Sequence, residues 1–105
     1  MDISNIMQQA QAMQEKMAKI QEDLAKLSIT GSAGGGMVLA KVTGQGEILS
    51  VTIEKELISP DEAELLQDLV AAAVNDGLRK AKEAGKQAMG QLTQGVNIPG
   101  LSHLF

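Results

Sequence analysis

The chain has no cysteine, no tryptophan and no tyrosine, and its single phenylalanine is the last residue, Phe105. Without cysteine there are no disulfides and no thiolate chemistry, in keeping with a reducing cytoplasm. Histidine occurs once, at His103. That removes a nitrogen/sulfur metal centre within one chain, and Ser/His/Asp catalysis, which needs a base held in place. Aromatic side chains bury the largest areas, so the core of these 105 residues has to come from Leu, Ile, Val, Met and Ala. A domain of this size buries only part of its surface, and self-association is a natural supplement. No apolar run approaches the ~20 residues of a membrane span, and no basic-then-apolar leader opens the chain. The sequence therefore reads as soluble, cytoplasmic and without a membrane partner. The lack of aromatics also removes a stacking platform for single-stranded nucleic acid.

What is present begins with a seam. Ile3, Ile6, Ala10, Met13, Met17, Ile20, Leu24 and Leu27 recur in unbroken steps of three and four, with mostly Gln, Glu, Lys, Asp and Asn between them. This spacing predicts a long helix with a narrow apolar stripe. At 1.5 Å per residue the stripe is about 36 Å long and needs a cover, either the other long helix or a second copy of the chain. Met7, Met13 and Met17 lie on or beside it and read as interface filler.

Ser28-Ile29-Thr30-Gly31 ends the helical pattern, and Gly31 to Gly36 reads as a glycine-dense connection. Met37 to Thr43 and Glu47 to Glu54 form two short strand patterns around Gly44-Gln45-Gly46, an antiparallel hairpin, with the Ile29 segment a candidate third strand. In the last strand Ser50, Thr52 and Glu54 are expected on the wet face. Gly34-Gly35-Gly36 is no phosphate loop, because a strand pattern follows it and no Lys-Ser/Thr pair is present; a turn or bulge with positive φ suits it. Ser59-Pro60-Asp61-Glu62 predicts a helix start, with Ser59 as cap, Pro60 in the first turn and Glu62 completing a capping box. The helix then carries Leu65, Leu66, Leu69, Val70, Ala73, Val74, Leu78 and Ala81 at helical spacing. Ala71, Ala72, Ala73 and Gly77 are small enough for another backbone to approach. Gly85, Gly90 and Gly95 soften its end, placed near Gln91.

Net charge is −4, which argues against a simple polyanion binder, yet the charge is unevenly spread. Glu54, Glu56, Asp61, Glu62, Glu64 and Asp68 face only Lys55 across residues 54–68. Those carboxylates sit at a strand end and a first helical turn, where capping and solvation account for them better than acid/base catalysis. Arg79, Lys80, Lys82 and Lys86 follow, with Glu83 the only acid among them. Arg79, Lys82 and Lys86 fall at i, i+3, i+7 on one helix face, and Lys16, Lys19 and Lys26 mark the first helix. Two readings stay open on spacing alone. One is a solvated surface with i,i+4 pairs such as Glu22 with Lys26; the other is a stripe that grips duplex DNA by its phosphates.

Met7-Gln8-Gln9-Ala10-Gln11-Ala12-Met13-Gln14, the Gly31-to-Val38 stretch, and Asp68 to Asp76 followed by Arg79-Lys80-Ala81 resemble, in order and spacing, the YbaB/EbfC family of bacterial nucleoid-associated proteins. Ile98-Pro99-Gly100 is similar to that family's ending. The resemblance implies an α+β fold in the order α-β-β-β-α with a small antiparallel three-stranded sheet, and a homodimer whose long helices project as arms. It implies a single domain over residues 1–96 with a tail over 97–105. It also implies a non-enzymatic protein of the nucleoid that binds double-stranded DNA, with no cofactor, no small-molecule substrate and a role in nucleoid organisation or gene regulation. DNA contact would then fall to Lys16, Lys19, Lys26, Arg79, Lys80, Lys82 and Lys86, on helices packed through Ile6, Ala10, Met13, Met17, Ile20, Leu24 and Leu27. An adaptor that clasps a protein partner between its arms is the alternative. Two positions depart from the pattern: Gln8, where many relatives carry Lys, and Gly77, where relatives often carry Ala and where glycine should soften the helix.

Overall fold

The computed structural model describes residues 3–93, so the 97–105 tail, with His103, lies outside the described residues. Helix α1 spans Ile3–Lys26. Strands β1 (Ser28–Ala33), β2 (Val38–Thr43) and β3 (Ile48–Ile53) follow, and helix α2 spans Ala63–Thr93. The sheet is antiparallel in the order β1-β2-β3. This is the expected α-β-β-β-α order, with the Ile29 segment as the third strand. The glycine-dense stretch is shorter as a connection than the sequence suggests, because Gly31, Ser32 and Ala33 pair with Ala40, Leu39 and Val38. Gly34, Gly35 and Gly36 alone make the turn, with φ of +63°, +66° and +94°.

The second turn depends on Thr43. Its hydroxyl oxygen accepts from the amides of Gln45 and Glu47 at 3.2 and 3.1 Å, and its carbonyl accepts from the Gly46 amide at 2.9 Å. The same turn holds the end of α1. The Gly44 amide donates to the Leu24 carbonyl at 2.8 Å, a helix-end acceptor that also takes the Leu27 amide at 3.2 Å. The Gln45 side-chain amide donates to the Gln21 carbonyl at 3.1 Å.

The helix start at Ser59 differs from expectation. Residues 60–62 form a 3-10 turn, and the Ser59 side chain makes no capping bond. The Glu62 amide donates instead to the Ser59 carbonyl at 3.1 Å, so the donor that a capping box would have satisfied is already used by the main chain.

Helix α2 crosses β1 and β2, covering Val38, Ala40 and Val42, which are fully buried together with Leu57 and Ala73. Leu66, Leu69, Val70 and Val74 pack around this cluster. The closest approach is backbone to backbone: a Cβ on Gly31 would lie 2.3 Å from both the Ala73 carbonyl oxygen and the Gly77 nitrogen. Gly77 does not interrupt the helix, which runs unbroken to Thr93, because it is buried there against Gly31 and Val42. Ala73 and Gly77 thus serve the close approach, while Ala71 and Ala72 face solvent.

Two apolar surfaces remain bare. Strand β3 is exposed on both faces, not alternating wet and dry: Ile48, Leu49 and Val51 are 48%, 54% and 39% accessible. The α1 seam is covered only in part. Leu24 is buried and Met13 and Ile20 are half-buried, whereas Ile3, Ile6, Ala10, Met17 and Leu27 are exposed. The described residues extend 70 × 24 × 16 Å with a radius of gyration of 19.4 Å, against about 13 Å for a compact chain of this length. The paired ends of α1 and α2 form a projecting arm.

Gly31→Ala should destabilise the fold by about 3 kcal/mol or more, because only backbone atoms stand in the way and none can rotate aside. Gly77→Ala meets Val42 methyls at 3.3–3.4 Å, and this tight contact offsets a helix-propensity gain of about 1 kcal/mol. Thermal melts of the two variants should therefore differ widely, with Gly77→Ala close to the parent.

Candidate nucleic-acid interface

The inward face of α2 is set by Ala73, Gly77 and Ala81, all buried. Helical geometry then turns Arg79, Lys82 and Lys86 to the opposite side, and all three are exposed. Lys82 and Lys86 take part in no ion pair among the described residues. The acids of residues 54–68 lie at the other end of the helix. Asp68 and Lys82, fourteen positions apart, are separated by about 21 Å along the axis. A chain of net negative charge therefore still presents a locally basic surface.

Lys80 does not share that surface. It lies on the flank beside β1, where its ammonium donates to the Thr30 carbonyl at 3.1 Å and pairs with Asp76 at 3.0 Å. Arg79 pairs with the other oxygen of the same carboxylate. On α1, Lys19 pairs with Asp23 and Lys26 with Glu22, each at 3.3 Å, and Lys16 has no ion pair among the described residues. Lys16 and Lys19 border an open groove between α1 and α2 whose rim also carries Glu15 and Asp23. Its apolar wall includes Ile20, Leu24, Ala88 and Leu92. Arg79 and Lys80 border a separate depression with Glu83 and Ile29. The seven basic residues thus form no single cluster in one chain. Those in no ion pair among the described residues are Lys16, Lys82 and Lys86.

Asp76 is the residue that sequence reasoning passed over. It is half-buried, and besides Arg79 and Lys80 it accepts the Ser32 amide at 3.0 Å, joining α2 to β1. Its spacing of three and four residues from Arg79 and Lys80 was the available signal. The Ser32 amide and then the Lys80 ammonium hold its carboxyl below the ordinary value of 3.8.

Among the described residues no helix is long and apolar enough to cross a membrane, and no group of three or more His, Asp or Glu side chains is gathered as a metal site. The profile of the YbaB/EbfC DNA-binding family matches residues 1–96. A nucleoid-associated protein of Desulfotalea psychrophila is 67% identical over 105 residues, covering 100% of this chain and 99% of its own length. One from Syntrophobacter fumaroxidans is 53% identical over 97 residues, covering 92% of this chain and 88% of its own. The crystal structure of an uncharacterised Helicobacter pylori protein superposes with a TM-score of 0.79 at 26% identity, covering 88% of this chain and 97% of that one.

Because the Asp76 carboxyl is held below its unfolded value, its contribution is full above about pH 4 and is lost as pH falls through the lower folded value. The stability difference between the parent and Asp76→Asn should be constant from pH 8 to pH 5 and shrink only below about pH 4. Denaturant titrations at several pH values would show this; a difference that changes near neutrality would contradict it.

Proposed function

Since the chain belongs to the YbaB/EbfC DNA-binding family, we propose that it binds duplex DNA as a homodimer of the bacterial nucleoid, through backbone phosphates. The observation that carries the DNA reading is the exposed face of α2, where Lys82 and Lys86 stand beside Arg79 and take part in no ion pair among the described residues. Phosphate contact by such cations needs no groove-reading side chain and predicts binding with little sequence preference. Lys16 on α1 supplements that face. Lys19, Lys26 and Arg79 can exchange their exposed acidic partners for phosphate at small cost, because surface ion pairs contribute about 0–1 kcal/mol. Lys80 is the least available, being bonded to the β1 backbone as well as to Asp76. We take residues 1–96 as the working domain.

The dimer reading rests on β3. Helix α2 covers β1 and β2, and the exposed Ile48, Leu49 and Val51 lie at the sheet edge with Ile58 and Leu65 also exposed. Exposed apolar side chains gathered at one sheet edge mark an association site, and a second copy of the chain would cover them. Two arms would then project from a shared sheet body, each carrying its own basic face.

Removing two phosphate contacts lowers the slope of log K against log salt by about 1.8, at about 0.9 per phosphate. The Lys82→Ala/Lys86→Ala variant should show that loss in a salt titration of binding to random duplexes, while Lys55→Ala should not. No binding by the parent at low salt, or a partner from nuclease-treated extract held in fixed stoichiometry, would favour the adaptor reading instead. For the dimer, Val51→Asp should halve the mass measured by light scattering while circular dichroism remains that of a folded α+β chain.

A further inference from the structure

Strand β1 is the other edge of the sheet. In an antiparallel ladder alternate residues of an edge strand turn their N–H and C=O outward, and in β1 the Thr30 carbonyl and the Ser32 amide bond side chains of α2. Lys80 Nζ donates to the Thr30 oxygen at 3.1 Å, and Asp76 Oδ2 accepts from the Ser32 nitrogen at 3.0 Å. Lys80 Nζ and Asp76 Oδ2 are themselves 3.0 Å apart. An incoming parallel strand would satisfy the same two groups with the N–H and C=O of a single residue. The ion pair therefore occupies the place of one residue of such a strand, donor opposite acceptor and acceptor opposite donor.

We propose that Asp76 and Lys80 are a strand cap, closing the β1 edge to addition of a strand from a second copy of this chain. An exposed edge is a template for pairing, and β1 would be an easy one: Gly31, Ser32 and Ala33 bring no bulk to obstruct an approaching chain. At the opposite edge β3 pairs with β2 alone among the described residues. A sheet with one open edge associates to a closed dimer. A sheet with two open edges can alternate contacts without closing and grow as a filament. The cap thus limits the assembly to two copies. It rests on the dimer reading for the fate of β3 but not for the closure of β1, and it is independent of DNA.

The test measures mass by light scattering across a wide concentration range for the full chain and for Asp76→Ala/Lys80→Ala. The parent should keep one mass throughout, and the variant should at least double it as concentration rises. Adding Ser32→Pro to the variant, which removes the outward amide at an edge position where proline is tolerated, should restore the parent's mass. A folded variant with the parent's mass at every concentration, or growth that survives Ser32→Pro, would overturn the cap. If the variant does not fold, amide exchange in the parent decides. A Ser32 amide protected with the strand interior supports the cap, and one exchanging at the rate of an open edge overturns it. A monomeric parent would sink the β3 dimer separately, since loss of the cap would then turn monomer into dimer through β1.

Discussion

Everything in this fold is arranged around the contact of two glycines. Gly31 in β1 and Gly77 in α2 bring strand and helix backbones within van der Waals distance, and no side chain fits between them. That approach fixes where α2 lies. Drawn onto β1 and β2, it buries Val38, Ala40 and Val42 and does not cover β3. The uncovered strand is therefore a consequence of the tight crossing. The crossing also sets the rotation of α2 about its axis. With Ala73, Gly77 and Ala81 turned inward, Arg79, Lys82 and Lys86 have to face solvent. One packing constraint thus yields an apolar surface at the sheet edge and a basic surface on the helix.

The first helix is positioned by a different device. Carbonyls near its end are held by Gly44 and Gln45 of the β2–β3 turn, so α1 leaves the sheet in a defined direction and its C-terminal part runs beside that of α2. Leu24 is buried at the root of this arm, whereas Ile3 and Ile6 near its tip are not. The 3,4 repeat that resembles a zipper serves mainly to keep two helices side by side at the base.

Asp76 ties the crossing of α2 over β1 to the charges on α2. Its carboxylate joins the helix to β1 through Ser32 and draws Arg79 and Lys80 to itself. A basic run that looks uniform along the sequence is therefore divided in space. Lys80 belongs to the sheet edge, Arg79 is shared, and Lys82 and Lys86 are left without an ion pair among the described residues. Charge effects of this kind depend on distances of a few ångströms, so net charge says little about what each lysine can do.

The sequence by itself determined the elements. The 3,4 spacing marked α1, the alternation and glycines marked the strands and turns, the helical run of Leu, Val and Ala marked α2, and the order of motifs pointed to the family. Local periodicity and turn chemistry are encoded within a few residues, which is why they were legible. The helix start was misread because a capping box and a 3-10 turn share the same residues, Ser59 to Glu62, and differ only in which acceptor takes the Glu62 amide. What the tertiary structure decided was the meaning of residues far apart in the chain. That Gly77 is a packing position and not a weak point depends on Gly31, forty-six positions earlier. That Lys80 and Asp76 bond the edge strand depends on Thr30, fifty positions before the one, and Ser32, forty-four before the other. Such pairings arise only when the crossing of α2 over β1 brings them together, and no local pattern in the chain records that geometry.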